Sequence, residues 1–205
     1  MRPAPPDSGP DGDLPGRISA CRLCAPRFAA TATRHAPRPV PWFRPGTRIL
    51  VAGQAPGMRV HEAGKPFFDR SGDRLRDWMG IDAATFYDRS LVSVLPTAFC
   101  FPGYDARGAD LPPPPVCWET WHGAVLEEIG PVPLRLVIGG YAIKRHLGLK
   151  GPLSGIVSGW RAHAPGTFVL PHPSWRNNAW LKRNPWFEAE LLPALRSAVR
   201  DALRG

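Results

Sequence analysis

The sequence lacks the features of a membrane protein, an exported protein or a dinucleotide-binding domain. No apolar run reaches the roughly 18 residues that a membrane span needs. The amino terminus has no apolar core, so we expect no secretory signal. The glycine-rich phosphate loop of dinucleotide-binding domains is also missing, since Gly53-x-x-x-Gly57 does not have its pattern. We therefore expect a cytoplasmic protein without a membrane partner. We also expect a monomer, although none of these features bears on the oligomeric state.

Acidic residues are scarce, with 17 Asp and Glu against 26 Lys and Arg and a net charge of +9. Residues 1–48 hold 8 basic and 3 acidic residues, residues 160–205 hold 7 and 3, and residues 49–159 hold 11 of each. The excess therefore lies in the two ends of the chain. It favours DNA or another polyanion as a partner. However, 22 of the basic residues are Arg, a bias that is also typical of a GC-rich coding sequence.

Cysteine is limited to four residues, Cys21, Cys24, Cys100 and Cys117. Without an export signal, a disulfide framework is not expected. The Cys21-x-x-Cys24 pair with two further cysteines, and none left over, indicates a four-thiolate metal site. Zinc and an iron–sulfur cluster both satisfy that ligand set. The alternatives are four unrelated thiols or a redox pair at Cys21 and Cys24.

Short apolar strands alternate with amphipathic helices along the chain. The strand-like segments are 48–52, 90–95, 134–138 and 167–170. The helical segments are 71–79, 118–129, 141–147 and 186–203. This alternation predicts an α/β fold, a three-layer α/β/α sandwich with a central four-stranded, mostly parallel sheet. We expect residues 1–17 to be a disordered tail and residues 18–205 to form one domain.

Three segments carry candidate chemistry where strands end or helices begin. The first strand leads into a tight turn that exposes backbone N–H groups. The next segment supplies an aromatic pair and Asp69, which could orient a water molecule, with Glu62 as the alternative carboxylate. His172, held between two prolines, could stabilise a developing anion. The turn is formed by Gly53, Gln54, Ala55, Pro56 and Gly57. An ordinary turn, a helix cap and a packed histidine are the simpler interpretations.

Residues after His172 are candidates for contact with a nucleic acid. Ser174 could bind a phosphate, and Trp175 or Arg176 could enter a duplex as a wedge. Lys182 and Arg183, close to two tryptophans, fit a phosphate-contacting patch. We group Asn177 with these residues. A surface turn followed by a solvated helix start would have the same composition.

These segments together resemble the iron–sulfur branches, families four and five, of the uracil-DNA glycosylase superfamily. The resemblance covers roughly residues 20–195. The turn at 53–57 resembles the family's first motif, and His172-Pro173-Ser174 matches its second. Gly64-x-Pro66-Phe67 is similar to the family-four segment that supplies the uracil-stacking phenylalanine, and Asp69-Arg70-Ser71-Gly72 resembles a family-five segment with a proposed catalytic Asp. The four cysteines fall where these families bind a [4Fe–4S] cluster.

The resemblance implies a DNA glycosylase that removes uracil, or another deaminated base, from DNA at the start of base excision repair. Phe67 would stack on the base, residues 53–57 and Ser174 would bind the nucleotide, and His172, Asp69 and Gln54 would act in catalysis. Three residues depart from the family patterns. Gln54 replaces a Glu, Ala55 replaces an Asp, and no Asn precedes Cys100. The alternative is a catalytically weak protein that binds nucleic acid or senses damage on the same fold.

Overall fold

The computed structural model describes residues 13–205, with four strands and ten α-helices in that range. The strands are β1 (Ile49–Gly53), β2 (Val92–Pro96), β3 (Leu134–Ile138) and β4 (Thr167–Leu170). The helices are α1 (Leu14–Ser19), α2 (Ala25–Ala29), α3 (Met58–Ala63), α4 (Arg70–Met79), α5 (Ala83–Tyr87), α6 (Pro115–Ile129), α7 (Gly139–Leu147), α8 (Leu153–Ser158), α9 (Asn178–Arg183) and α10 (Leu192–Arg204). A π-helical turn, Phe187–Leu191, leads into α10.

The four strands form one sheet in the order β2-β1-β3-β4, and every pair is parallel. Val51 lies opposite Val94 of β2 and Leu136 of β3. β2 and β3 lie on opposite sides of β1. The chain connections that leave the carboxyl ends of the strands therefore run in opposite directions next to β1. A crevice at the carboxyl ends of the strands is the usual ligand site in such sheets.

Alternate side chains of β1 enter two different hydrophobic clusters. Ile49 and Val51 pack with residues of α4 and α10, including Trp78 and Leu195. Leu50 packs on the other side with residues of α6, including Trp121. Burial on both faces explains why the strand is a continuous apolar run. The predicted three-layer α/β/α fold is thereby confirmed, with a fully parallel sheet within the described residues.

The predicted elements differ from the structure mainly near the two ends of the chain. The predicted disordered tail, 1–17, falls mostly on residues 1–12, which lie outside the described residues, but α1 already begins at Leu14. The last predicted helix, 186–203, is divided into the π-helical turn and α10. Within residues 13–205, no helix is long and apolar enough to cross a membrane.

Candidate active site

A cavity of about 720 Å³ opens at the carboxyl ends of β1 and β4. It brings together three segments that are far apart in the sequence: the turn after β1, the segment before α4 and the loop after β4. The predicted site residues that line it are Gly53, Gln54, Ala55, Pro56, Gly57, Phe67, Asp69, His172, Ser174, Trp175, Arg176 and Asn177. Lys182, Arg183 and the four cysteines do not line this cavity.

Phe67 is held across the end of β1 by an unusual backbone conformation. Its φ is 52°, in the left-handed region that residues other than glycine seldom adopt. Its carbonyl accepts hydrogen bonds from the Tyr87 hydroxyl (3.2 Å) and from Arg76 Nη1 (3.3 Å). A Cβ added at Gly53 would lie 3.5 Å from Phe67 Cζ, so the ring lies directly over the glycine. The ring is thereby fixed on the wall of the cavity.

Gly72 makes this conformation of Phe67 possible. A Cβ at Gly72 would lie 1.7 Å from the Phe67 carbonyl oxygen, a clash with backbone that no side-chain rotation relieves.

We expect Gly72→Ala to lower the free energy of unfolding, measured by urea denaturation, by about 3 kcal/mol. The matched control is Gly155→Ala in α8, where an added Cβ meets nothing within 4 Å. If the Gly72→Ala variant were as stable as the wild type, this account of Phe67 would be wrong.

The turn after β1 is anchored through the backbone of Gln54. The Gln54 carbonyl accepts a hydrogen bond from Thr97 Oγ1 (2.6 Å) and a longer one from the Ala98 N–H (3.4 Å). Both partners follow β2, so the neighbouring strand end fixes the turn. The Gln54 side chain lines the cavity and can offer an amide donor and an acceptor to a ligand.

Asp69 has a structural role as well as a place in the cavity. It is the N-cap of α4, and its Oδ1 accepts a hydrogen bond from the Gly72 N–H (2.8 Å). The helix predicted from residue 71 therefore begins one residue earlier, at Arg70, and the helix cap that was the simpler interpretation of Asp69 is present. A carboxylate oxygen can accept further hydrogen bonds, so Asp69 can cap α4 and still bind a water molecule. Glu62 is exposed and does not line the cavity.

His172 directly follows β4, and its side chain is partly buried beside two carboxylates. Burial lowers its pKa below the ordinary value, the negative charges of Asp69 and Asp110 oppose this shift, and Arg176 adds to it. Its carbonyl accepts a hydrogen bond from Asn177 Nδ2 (2.6 Å), which fixes the loop. Within residues 13–205 the imidazole ring has no hydrogen-bond partner. A neutral ring with an uncommitted N–H faces the cavity.

Asp110 is a site residue that the sequence analysis missed. It lies in the loop between Cys100 and Cys117, where a β-bridge joins it to Tyr104. The residue is exposed overall, but partial burial of its carboxyl raises its pKa, while Arg176 and His172 act in the opposite direction. No sequence motif marks Asp110, because only the folded loop brings it to the cavity. A perturbed carboxyl in a cleft is a candidate functional group.

The rim of the cavity carries the residues predicted to contact DNA. Trp175 is 72% exposed, the largest exposure among the described large apolar side chains. Ser174 Oγ accepts from the Arg176 N–H (3.2 Å), and Arg74 Nη1 donates to the Ser174 carbonyl (3.2 Å). Lys182 and Arg183 are exposed at the end of α9, beyond the rim. The loop is therefore braced while the Trp175 ring stands in solvent.

The four cysteines line a separate narrow cavity between the α1–α2 arm and the start of α6. All four are free thiols, and the Phe99 N–H donates to Cys117 Sγ (3.4 Å). Burial raises the pKa of the Cys100 thiol, and Cys117, Cys24 and Cys21 raise it further. Within residues 13–205, no three His, Cys, Asp or Glu side chains form a group that could hold a metal ion. The cysteines thus share one cavity without meeting at one point.

Comparison with known families shows that a family model described as the uracil DNA glycosylase superfamily matches residues 40–196. The matched range begins before β1, ends within α10 and includes every residue that lines the candidate active site. It begins after Cys21 and Cys24, so membership of an iron–sulfur branch stays a prediction. The match covers most of the sequence, and the chain therefore belongs to the uracil DNA glycosylase superfamily.

Proposed function

We propose that the protein is a DNA glycosylase that hydrolyses the N-glycosidic bond of uracil, or of another deaminated base, in DNA. The observation that carries this proposal is the meeting of Gln54, Phe67, Asp69 and His172 in one cavity. Superfamily membership supports the same class of reaction. A cavity of about 720 Å³ has room for a base and its sugar, but not for a stacked duplex.

The target base would have to leave the DNA stack to enter this cavity. Flipping costs a few kcal/mol and is easiest for a mismatched or unpaired base. The Phe67 ring supplies a stacking surface, and the turn around Gln54 supplies hydrogen bonds to the edge of the base. The exposed Trp175 ring could fill the space that the base leaves, and Lys182 and Arg183, both exposed at the end of α9, would contact phosphates of the strand.

In the proposed reaction, water adds to C1′ of the deoxyribose as the bond from C1′ to the base nitrogen breaks. The electron pair of that bond goes to the base, which leaves as an anion. The neutral His172 N–H stabilises this charge by hydrogen bonding. Asp69 orients the water and stabilises the positive charge on the sugar, and the proton of the water goes to the carboxylate or to solvent. The base anion then takes up a proton from solvent, and the products are an abasic site and the free base.

We also propose that the four cysteines hold a [4Fe–4S] cluster. A zinc ion requires four sulfur atoms at about 2.3 Å from one point, whereas each thiolate of a four-iron cluster binds a different iron and the sulfur atoms lie further apart. The four thiols line one narrow cavity, and the resemblance to the iron–sulfur branches favours the cluster over structural zinc. The group would be structural, tying the α1–α2 arm to the loop before α6.

Replacing Cys100, the most buried of the four cysteines, tests this cofactor. Anaerobically purified wild type is expected to be brown, with iron and acid-labile sulfide in equal amounts. Cys100→Ala should lose the visible absorption band and melt at a lower temperature, because metal binding contributes to folding. Ser19→Ala, in the same arm but outside the cysteine cavity, should keep both. Colourless wild-type protein with stoichiometric zinc would overturn the cluster.

The proposed function is tested by incubating excess protein with oligonucleotides that contain uracil, hypoxanthine or xanthine, in single and double strands. Alkali then cleaves any abasic site, and a gel separates the products. Cleavage at a deaminated base supports the glycosylase. Binding without cleavage on every substrate would favour the catalytically weak nucleic-acid-binding protein that Gln54, Ala55 and the missing Asn before Cys100 also fit.

A further inference from the structure

A second hollow of about 590 Å³ adjoins the candidate active site. Arg59, Asp69 and Arg70 line both cavities, so the two lie side by side. The second hollow also contains Lys65 and Phe68, to which the sequence analysis gave no separate role.

The backbone of Phe67 explains how two adjacent phenylalanines serve two cavities. Its φ of 52° turns the chain, so that Phe67 packs over Gly53 while the next side chain points away. Phe68 is 54% exposed and lines only the second hollow. Lys65 Nζ lies 5.6 Å from the Phe68 ring centroid and 3.6 Å from that of Tyr87. An exposed aromatic face with a cation beside it therefore lies next to the active site.

The charge of the second hollow suits a polyanion. Its two carboxylates already have partners: Asp69 caps α4, and Asp73 pairs with Arg76 at 2.6 Å. Within residues 13–205, Arg59 and Arg70 have no ion-pair partner. Both line the boundary between the two cavities, where the phosphate that links two neighbouring nucleotides would have to pass.

We propose that this hollow binds the nucleotide adjacent to the flipped one, and does so in single-stranded DNA. Its base stacks on Phe68, and its linking phosphate lies against Arg59 and Arg70. Basic grooves with aromatic stacking surfaces are the usual means of binding single strands. In a duplex the neighbouring base is paired and stacked, so occupying this site would require a second flipping event. The proposal rests on the proposed function, since it takes the first cavity as the site of the target base.

The test is the affinity of Phe68→Ala for an uncleavable oligonucleotide with 2′-fluoro-2′-deoxyuridine, measured by fluorescence anisotropy. Stacking of one base on an aromatic side chain predicts a loss of about 5- to 150-fold on the single strand. Affinity for the matching duplex should change little. Tyr141→Ala is the matched control, because Tyr141 is 45% exposed and lines neither cavity. Phe68→Trp should bind the single strand at least as well as the wild type.

A second set of oligonucleotides removes a base next to the uridine, replacing it with an abasic analogue on either side. One of these two oligonucleotides should bind the wild type more weakly than the intact strand does, while its affinity for Phe68→Ala should not change. Equal losses for both proteins, or equal effects of Phe68→Ala on single strand and duplex, would overturn the subsite. If wild-type protein excised no base but showed this binding pattern, the glycosylase would fail while the subsite held. Active excision without the pattern would refute the subsite alone.

Discussion

Replacing His172 with alanine is expected to slow base excision by about 10²- to 10³-fold under single-turnover conditions, the usual cost of losing one donor to a developing anion. The ring follows β4 between two prolines and lines the cavity without a hydrogen-bond partner among the described residues. It is therefore positioned before the substrate arrives and needs no rearrangement. Because burial lowers its pKa below the ordinary value, the neutral form of the ring is favoured at neutral pH.

The control for this variant is His163→Ala, whose backbone forms the turn before β4 and whose side chain does not line the cavity. That change should leave the excision rate unaltered. His172→Gln, which keeps an N–H donor, should recover part of the rate if hydrogen bonding is the function of the ring. An excision rate for His172→Ala equal to that of the wild type would remove His172 from the mechanism.

Replacing Asp69 with asparagine is the second change with a large expected effect, a rate loss of about 10²- to 10⁴-fold. Asparagine caps helices about as well as aspartate, so its side-chain oxygen can still accept from the Gly72 N–H. The variant therefore removes the negative charge while keeping α4 and the Phe67 segment in place. Thermal unfolding should confirm that its stability matches that of the wild type.

Asp110→Asn is the matched comparison, because it makes the same chemical change in the same cavity. We expect a much smaller loss of rate. Asp110 lies on an exposed loop, whereas the Asp69 carboxylate is held in place by its hydrogen bond from the Gly72 N–H. A large loss for Asp110→Asn with no loss for Asp69→Asn would transfer the role of orienting water to Asp110.

The parts of the fold and site that the sequence predicted follow from local rules. Each strand was visible as a short apolar run, because burial on both faces requires one. The ends of β1 and β4 then located Gln54 and His172, since parallel strands present their carboxyl ends at one edge. The resemblance to a family added Phe67 and Asp69. Together these residues were enough to predict which segments would meet in one cavity.

The parts that were missed depend on contacts between distant segments. Asp110 reaches the cavity only through the folded path of the loop between β2 and α6, and no residue pattern encodes that path. Ser71 and Asp69 are both good helix caps, and the close approach of Gly72 to Phe67 fixes Asp69 as the N-cap of α4, whose first residue is Arg70. In the sequence, Phe67 and Phe68 are an aromatic pair that nothing distinguishes. The positive φ of Phe67 turns the chain between them, so that the two rings line different cavities.

Single-turnover excision of uracil from a single-stranded oligonucleotide, followed by alkali cleavage, tests the proposed glycosylase directly. Wild-type protein should give one strand break at the uridine. His172→Ala should form the same break about 10²- to 10³-fold more slowly. An intact uridine strand, in the presence of wild-type protein that demonstrably binds it, would contradict the account and leave a DNA-binding protein on a glycosylase fold.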